Sequence, residues 1–589
     1  MPEARAKARP QGRAKGKERL ERAAAAAQAR QQRTRWWTSV AAAAAAIYLA
    51  FQVYAPALHG PFVFDDRLLP YYAQDFTGRL SAWLAGVRPT LMLSYWLNYQ
   101  VSKDPFIFHV TNVLIHLVSG FLVFFIVRKL LRKARPEGAE NVDLLAGLAG
   151  FVFLLHPIQT ESVAYVAGRS ECLSVMFFLG AFTIFLYRRA AQVTWPTAAA
   201  VLVLSGAAVT SKEHTLVLPA LLLLTDYYWN PGFSFAGIRR NWRLYVPIAV
   251  GALAGGMFVA RILARSQTAG FHMGDFTWYQ YFFTECRAFF VYLRLFVLPA
   301  GQDLDWDYPI SHTILEHGAI IGLAAIVALI AAAIYYRRRF PLASYGFLTY
   351  VLLMAPTSSF VPIEDPVAER RLYLPMIGLL LVAAALLQRA HLDRRKLAAA
   401  GGAVLAALAF ATYQRSEVWA SDIGLWENTA RESPGKARVR FQLAHTYYTN
   451  GRCREAVSEY TETAKLEQPD YRLLVDWALA YDCADQPEQA LAKLRQAAAL
   501  NATAHVYSQI GMVYAKRSEW TEALEALAQA RRLDPNYAEI YYYRGGIRAK
   551  TGDMRAAAAD YRHALALDPK LQPARDGLNY VLTQIPAQR

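Results

Sequence analysis

A nearly unbroken series of apolar segments occupies the middle of this chain and restricts what it can fold into. Between residues 36 and 414, eleven segments approach the roughly 20 apolar residues that a helix needs to cross a bilayer. Residues 1–35 are basic and polar, and residues 415–589 have the composition of a soluble helical protein. The sequence therefore predicts an all-α protein in which a polytopic membrane bundle precedes a soluble helical domain.

Eleven segments are predicted to span the membrane. They cover residues 37–57, 107–127, 144–164, 172–187, 195–210, 214–229, 244–263, 314–336, 342–360, 371–390 and 397–414. A further apolar stretch, residues 280–298, contains Glu285, Arg287 and Arg294. If it crossed, the arginines at 337–339 would lie outside, against the usual charge bias. We therefore expect this stretch to lie in the interface or to re-enter.

Lysine and arginine clusters indicate the orientation. The tail before residue 37 and the loops at 128–135, 188–189 and 239–243 are basic, and alternation of the spans places them all on one side. Basic loops mark the cytoplasmic side. They account for much of the net charge of +17, so we expect no nucleic-acid partner. Eleven crossings then place residues 415–589 in the periplasm, if the membrane is a bacterial inner membrane, or in the lumen of the endoplasmic reticulum.

Alanine positions in the C-terminal region recur with a period of about 34 residues. Ala456, Ala490, Ala523 and Ala557 are spaced 34, 33 and 34 residues apart. Small residues at this spacing let paired helices approach closely, and the pattern resembles the tetratricopeptide repeat. We expect four such repeats, forming a solenoid whose concave groove binds a protein or peptide.

These patterns divide the chain into five predicted regions. They are a basic cytoplasmic tail (1–35), a transmembrane domain (36–414), a linker helix (415–436), four repeats (437–572), and a capping helix with a tail (573–589).

The four cysteines form no CxxC motif and no cluster with histidine, so we expect no zinc site. Cys453 is predicted to begin the second helix of the first repeat, and Cys483 to end the first helix of the second. These helix ends should be neighbours. A disulfide in an oxidising compartment and two buried free thiols both fit this arrangement.

Ionisable residues gather at the predicted outer ends of the spans. Asp65 and Asp66 follow the first span, and Arg88 lies later in the same loop. In such a pair one carboxylate can act as a general base while the other orients it, holds an acceptor or binds a metal. A helix cap or a turn is the structural alternative.

Two further loops carry charge at the same predicted side. His156 and Glu161 end the third span, Arg169 follows, and the loop before the sixth span contains Lys212 and Glu213. Such residues are expensive at the membrane edge unless they are paired or functional. Isolated ion pairs are the structural alternative to one shared site with the acidic pair.

Glu369, Arg370 and Arg371 open the tenth span on the outer side, where arginine breaks the usual charge bias. The planar guanidinium group matches the geometry of a phosphate. We therefore expect this segment to hold an anionic, lipid-linked donor.

The motifs FVFDD, RPT, HPIQTESVAYVAGRSE, SKE and AERRLYLP occur in this order before the repeats, and this arrangement resembles the TMTC family of transmembrane and tetratricopeptide-repeat proteins. The resemblance covers about residues 36–580. It implies a GT-C-like membrane bundle with the activity of an inverting O-mannosyltransferase. Such an enzyme moves a sugar, typically mannose, from a polyprenyl-phosphate donor to Ser or Thr hydroxyls of proteins.

The resemblance also implies roles for the polar residues. Asp65 or Asp66 becomes the catalytic base. The candidates that would bind the donor phosphate are Arg370, Arg371, Lys212 and Arg169. The supporting residues are Arg88, His156, Glu161, Glu213 and Glu369, with His156 orienting a carboxylate or donating to the phosphate. A divalent metal would be held by Asp65, Asp66 and Glu213, although the spacing does not require one.

Three alternatives stay open at this point. The acceptor could be a lipid or a glycan instead of a protein. The chain could be a non-catalytic membrane scaffold whose repeats recruit a partner. A transporter is disfavoured because the membrane region has no visible internal repeat.

Overall fold

Helices form almost all of the regular structure in the computed structural model, which describes residues 30, 33–34, 36–72, 78–135, 141–266, 268–271 and 274–585. Within these ranges the only β-type pairing is an isolated bridge between Ala269 and Ile363. The predicted all-α fold is confirmed. The basic tail, residues 1–35, lies almost entirely outside the described residues.

The chain divides into two compact units. The first comprises Met1–Leu304 and Tyr308–Ser421, and the second comprises Asp305–Asp307 and Asp422–Arg589.

Sixteen described α-helices belong to the first unit. They are Trp36–His59, Leu80–Leu84, Pro89–Val101, Pro105–Ala134, Val142–Leu155, Thr160–Ala164, Arg169–Tyr187, Trp195–Val209, Leu218–Trp229, Ala236–Arg240, Trp242–Leu263, Trp278–Val297, Ala319–Tyr335, Pro341–Met354, Met376–Arg389 and Arg394–Val418. Four 3-10 turns, Phe64–Leu68, Pro157–Gln159, Glu213–Val217 and Glu369–Leu372, carry or adjoin most of the predicted site residues.

Six described helices are long and apolar enough to cross a membrane. They are Trp36–His59, Pro105–Ala134, Arg169–Tyr187, Trp242–Leu263, Glu316–Arg338 and Arg394–Val418. A seventh candidate is the pair Val142–Leu155 and Pro157–Ala164, which is bent by 49°. The other predicted spans coincide with apolar helices of 12 to 15 residues, too short to cross unaided. A membrane protein is therefore indicated, and eleven crossings stay a prediction.

The stretch at 280–298 forms one continuous helix, Trp278–Val297, of 20 residues. Its charged side chains all have partners in the first unit. Glu285 lies 3.4 Å from Arg371, Arg287 donates to the carbonyl of Pro309 at 2.9 Å, and Arg294 donates to that of Ala300 at 2.9 Å. Pairing lowers the cost of placing charge near hydrocarbon. The interfacial or re-entrant placement of this helix stays a prediction.

Four helix pairs make up most of the second unit. They are Ala437–Thr449 with Cys453–Leu466, Tyr471–Cys483 with Pro487–Leu500, Ala504–Lys516 with Trp520–Leu533, and Ala538–Lys550 with Met554–Leu567. The helix Asp422–Glu432 precedes them and Gln572–Gln584 follows. The four periodic alanines are fully buried, and a Cβ atom on Gly511 would lie 2.8 Å from Cγ of Leu527. The small residues therefore sit where the paired helices approach most closely.

Cys453 begins the second helix of the first pair and Cys483 ends the first helix of the next, as predicted. A disulfide joins them, with a Cα–Cα distance of 5.6 Å. This bond fixes the alignment of two antiparallel helices that belong to successive repeats. Cys172 and Cys286 are buried free thiols.

Two glycines set the separation of the helices Pro341–Met354 and Met376–Arg389. A Cβ atom on Gly378 would lie 2.5 Å from the backbone nitrogen of Tyr350 and 2.6 Å from the carbonyl oxygen of Gly346. Both neighbours are backbone atoms, so only a shift of a whole helix could make room. Small residues at such crossings are typical of helices packed within membranes.

The change Gly378→Ala should therefore destabilise the protein by about 1–3 kcal/mol, the usual range for overpacking a close contact. Thermal unfolding of the purified protein in detergent measures this loss. Gly206→Ala is the matched control, because nothing lies within 4 Å of the added Cβ atom in another apolar helix. Equal melting temperatures for the two variants would contradict the packing argument.

Candidate active site

Asp66 is a fully buried carboxylate that holds in place the loop after the helix Trp36–His59. Its Oδ2 accepts a hydrogen bond from the backbone N–H of Val63 at 3.0 Å. Its Oδ1 accepts from the hydroxyl of Tyr71 at 3.0 Å and from the N–H of Ala167 at 2.7 Å. The three donors close a tight turn and tie it to a segment about a hundred residues away. Burial raises the pKa of Asp66 to about 7, against the opposing effect of the hydrogen bonds.

Asp65 lies next to it and is exposed. Its backbone N–H donates to the hydroxyl of Tyr165 at 2.9 Å, and no described residue donates a hydrogen bond to its carboxylate. The preceding residue, Phe64, has a φ of 47°, which is unfavourable for a side chain of this size. The turn thus carries local backbone strain and presents one carboxylate outward while it buries the other.

Tyr165 connects the acidic turn with a cationic group. Burial raises the pKa of its hydroxyl well above the ordinary value, Asp66 and Asp65 add to the rise, and Arg370 opposes it. The hydroxyl is therefore within electrostatic reach of both aspartates and of Arg370. It stays protonated and can donate a hydrogen bond, while it accepts one from the backbone of Asp65.

Two buried glutamates hold partly exposed cations. Arg370 forms an ion pair with Glu161, which also accepts the backbone N–H of Arg370 at 2.8 Å. Lys212 Nζ lies 2.5 Å from Oε2 of Glu171. The side chains of Arg370 and Lys212 are 31% and 19% exposed, so each retains access to solvent. This access leaves room for a second, anionic partner.

A third cation lies close to these two. Burial lowers the pKa of Lys212, and Glu171 opposes the shift. Arg370 and Arg88 lower it further, so both arginines are within electrostatic reach of Lys212. Arg88 itself makes a bidentate pair with Glu213, at 2.9 and 2.8 Å, so two of its donors are already occupied.

The other two predicted phosphate ligands are buried. Arg169 has no exposed surface, and it donates to the side-chain oxygen of Asn112 at 2.7 Å and to the carbonyl of Phe108 at 2.8 Å. Its guanidinium also packs over the ring of Tyr95, 4.6 Å from the centroid. Arg371 is 7% exposed and donates to carbonyl oxygens of its own loop. Neither guanidinium is open to a ligand in this conformation.

His156 and Glu369 have structural partners. His156 lies at the break between Val142–Leu155 and Pro157–Gln159, where Nδ1 accepts from the backbone N–H of Ile158 and Nε2 bonds the carbonyl of Phe296 at 3.0 Å. Both ring nitrogens are thus engaged by backbone groups, and neither of these contacts involves a carboxylate. Glu369 accepts from the side chain of Gln302 at 2.7 Å and from the N–H of Asp303 at 2.6 Å.

The suggested metal ligands Asp65, Asp66 and Glu213 do not converge. Asp66 is saturated by three donors and Glu213 is paired with Arg88. Across the part of the chain that the structure describes, no group of three His, Cys, Asp or Glu side chains could hold a metal ion.

Sequence reasoning assigned no role to three residues that the fold places in this cluster. Tyr165 and Glu171 lie inside the long motif at 156–171, and His214 follows Glu213. His214 Nε2 is 3.5 Å from Oε1 of Glu171, and the side chain is 7% exposed. Their ionisable character at a predicted span end was the available signal. It could not reveal which partner each would meet.

The helix pairs and the apolar helices define a polytopic membrane protein with a tetratricopeptide-repeat region. Two repeat families match this region, "TPR repeat" at residues 511–552 and "Tetratricopeptide repeat" at residues 538–571. Among solved structures, TTC0263, a thermophilic TPR protein in Thermus thermophilus, is 24% identical over 31% of this chain and 95% of that chain, with a TM-score of 0.25.

The curated relatives extend the comparison into the membrane region. Protein O-mannosyl-transferase F38B6.6 of Caenorhabditis elegans is 24% identical over 72% of this chain and 62% of its own length. Protein O-mannosyl-transferase TMTC3 of Mus musculus is 23% identical over 82% and 57%. Protein O-mannosyl-transferase TMTC4 of Homo sapiens is 26% identical over 70% and 64%.

The chain is therefore a homologue of the TMTC-type protein O-mannosyl-transferases, and the resemblance seen in its motifs is confirmed. It spans less than two thirds of the length of these relatives.

The buried Asp66 makes stability depend on pH in a defined direction. Its pKa rises from an ordinary 3.8 to about 7 on folding, so the folded state binds the proton more tightly. Protonation of Asp66 therefore stabilises the folded state fully below about pH 4, and this stabilisation is lost as the pH rises through about 7. When the melting temperature of Asp66→Asn is measured against pH, this loss of stability should be absent.

The variant Asp66→Asn should also be less stable by about 1–3 kcal/mol, because an amide NH2 would face a backbone donor.

Asp65→Asn is the control, since its carboxylate is exposed. It should keep the stability of the unaltered protein and nearly the same pH dependence, because the charge of Asp65 makes only a minor contribution to the raised pKa of Asp66. An unchanged slope in Asp66→Asn would show that another group is responsible.

Proposed function

We propose that this protein is a membrane glycosyltransferase. It moves a sugar, mannose in the first instance, from a polyprenyl-phosphate donor to Ser or Thr hydroxyls of proteins on the non-cytoplasmic side. The observation that carries the proposal is the exposed carboxylate of Asp65, to which no described residue donates a hydrogen bond. It lies on a strained turn bound to Tyr165, whose hydroxyl is within electrostatic reach of the partly exposed Arg370. The names of the relatives, which are protein O-mannosyl-transferases, support the same reaction class.

Asp65 is the general base in this proposal. A Ser or Thr hydroxyl is a weak nucleophile, so a carboxylate must take its proton as the oxygen attacks the anomeric carbon. The bond from that carbon to the donor phosphate breaks on the opposite face, which inverts the configuration. Asp66 cannot take this role without losing the contacts that shape the turn, so it acts as a positioning residue.

Arg370 and Lys212 stabilise the departing phosphate. Negative charge grows on the leaving oxygen, and fixed cations near it lower the barrier. Each is held by a buried glutamate that limits its motion while its exposed edge stays open. Arg169 and Arg371, whose donors bind neighbouring protein atoms, position the segments that carry the site.

The repeat unit supplies the acceptor in the same proposal. A polypeptide bound in the solenoid groove has a high effective concentration near the membrane enzyme to which the repeats are linked. The Cys453–Cys483 disulfide supports an oxidising location for this unit, either the periplasm or the lumen of the endoplasmic reticulum. A non-catalytic scaffold would use the same repeats without the carboxylate of Asp65.

Asp65→Asn should lower transfer by about 10²–10⁴-fold, because the general base is lost while the amide keeps the shape. The assay is transfer of labelled mannose from polyprenyl-phosphate mannose by the purified protein to peptide or endogenous protein acceptors. Folding is checked by the melting temperature. Full activity in Asp65→Asn would favour the scaffold, as would a folded protein that is inactive with every polyprenyl-phosphate sugar tested.

Lys212→Gln should lower kcat by about 100-fold with a smaller change in the KM for the donor, because the cation acts mainly on charge that develops in the transition state. Lys103→Gln is the matched control, since Lys103 packs over the ring of Tyr99 in another outer segment. A rise in KM with unchanged kcat would assign Lys212 to ground-state binding instead.

A further inference from the structure

An unpaired carboxylate lies on the first helix of the second repeat. Asp476 is partly buried, and no described residue forms a hydrogen bond or ion pair with it. Burial raises its pKa to about 6, and the nearby Asp470 adds to the rise. A carboxylate removed from water in this way lacks the partner that would normally compensate it.

The disulfide shows what lies opposite. It joins the start of Cys453–Leu466 to the end of Tyr471–Cys483, so the two antiparallel helices are in fixed register. Tyr460 follows Cys453 by seven residues, about two turns, and Asp476 precedes Cys483 by the same number. The two side chains therefore lie at the same level of the antiparallel pair. Tyr460 is fully buried, and its hydroxyl has no hydrogen-bond partner within the described part of the chain. The charge of Asp476 acts on that hydroxyl.

A second tyrosine lies within electrostatic reach of the same carboxylate. Tyr448 is partly exposed near the end of the first helix, Ala437–Thr449, and it is within electrostatic reach of both Asp482 and Asp476. Tyr543 of the fourth repeat is in turn within reach of Tyr448. Tyrosines of the first and fourth repeats are thus within electrostatic reach of each other, as expected on the concave side of a solenoid.

The nearby cations are already engaged elsewhere. Lys516 pairs with Asp482, Arg472 donates to the hydroxyl of Tyr471 at 3.3 Å, and Lys493 lies 3.5 Å from the centroid of the Trp477 ring. The chain itself therefore provides no positive group for Asp476 among the residues that the structure describes. A carboxylate beside aromatic faces favours a cationic ligand, since ring and charge attract it together.

We propose that Asp476 and Tyr448, backed by Tyr460, form a pocket for an arginine or lysine side chain of the acceptor polypeptide. This assignment rests on the proposed function for the identity of the ligand, and it makes the repeats selective for basic acceptors. The pocket binds the cation by an ion pair with Asp476 and by contact with the ring of Tyr448. Binding also gives the carboxylate the partner it lacks in the free protein.

The test is peptide binding to the full-length protein in detergent, followed by fluorescence anisotropy. The probes are two labelled peptides of Ser, Thr, Ala and Gly that differ only at one central position, arginine in one and citrulline in the other. Citrulline keeps the shape and removes the charge. The unaltered protein should bind the arginine peptide about tenfold more tightly. Asp476→Asn should abolish this preference, and Tyr448→Leu should reduce it.

Glu525→Gln is the matched control, because Glu525 is an exposed carboxylate on the second helix of the third repeat. It should keep the full preference, and melting temperatures confirm that each variant is folded. Equal affinity of the unaltered protein for both peptides would overturn the proposal, as would an undiminished preference in Asp476→Asn. The assay contains no sugar donor, so its outcome is independent of whether the protein transfers mannose.

Discussion

The buried carboxylate of Asp66 is the interaction on which the candidate site depends. It accepts hydrogen bonds from three donors, two close in sequence and one at Ala167, and so joins the loop after the helix Trp36–His59 to the segment that follows the bent helix pair. Without it the strained turn at Phe64 would have no compensation. The exposure of Asp65 and its bond to Tyr165 follow from the same anchor. One structural aspartate thus makes its neighbour available for chemistry.

Charge near the membrane is organised by the same principle of pairing. Glu161 and Glu171 are buried and hold Arg370 and Lys212, so neither sign is left alone in a region of low dielectric. In these ion pairs, part of each cationic side chain remains exposed to solvent. A phosphate could therefore join an existing network without first breaking it. This combination of fixed position and residual access is what electrostatic catalysis requires.

The repeat unit shows the opposite situation at Asp476, where a partly buried carboxylate has no partner among the described residues. In the membrane unit Glu161 and Glu171 are paired, and their partners Arg370 and Lys212 remain partly exposed. In the solenoid the local cations are engaged and a carboxylate remains available. In the proposed function these two features bind different ligands, an anionic donor in the membrane unit and a cationic polypeptide in the repeats. The disulfide at Cys453 fixes the register on which the second site is built.

The sequence by itself determined the all-helical class, the apolar segments, the repeats with their period of about 34 residues, and the positions of Cys453 and Cys483 at helix ends. These properties are local, because hydrophobic period and helix ends depend on residues close together in the chain. Only the tertiary structure decided which aspartate is buried, that His156 faces away from the acidic turn, and that Arg169 is enclosed. Those outcomes depend on contacts such as that between Asp66 and Ala167, 101 residues apart, which no local pattern encodes.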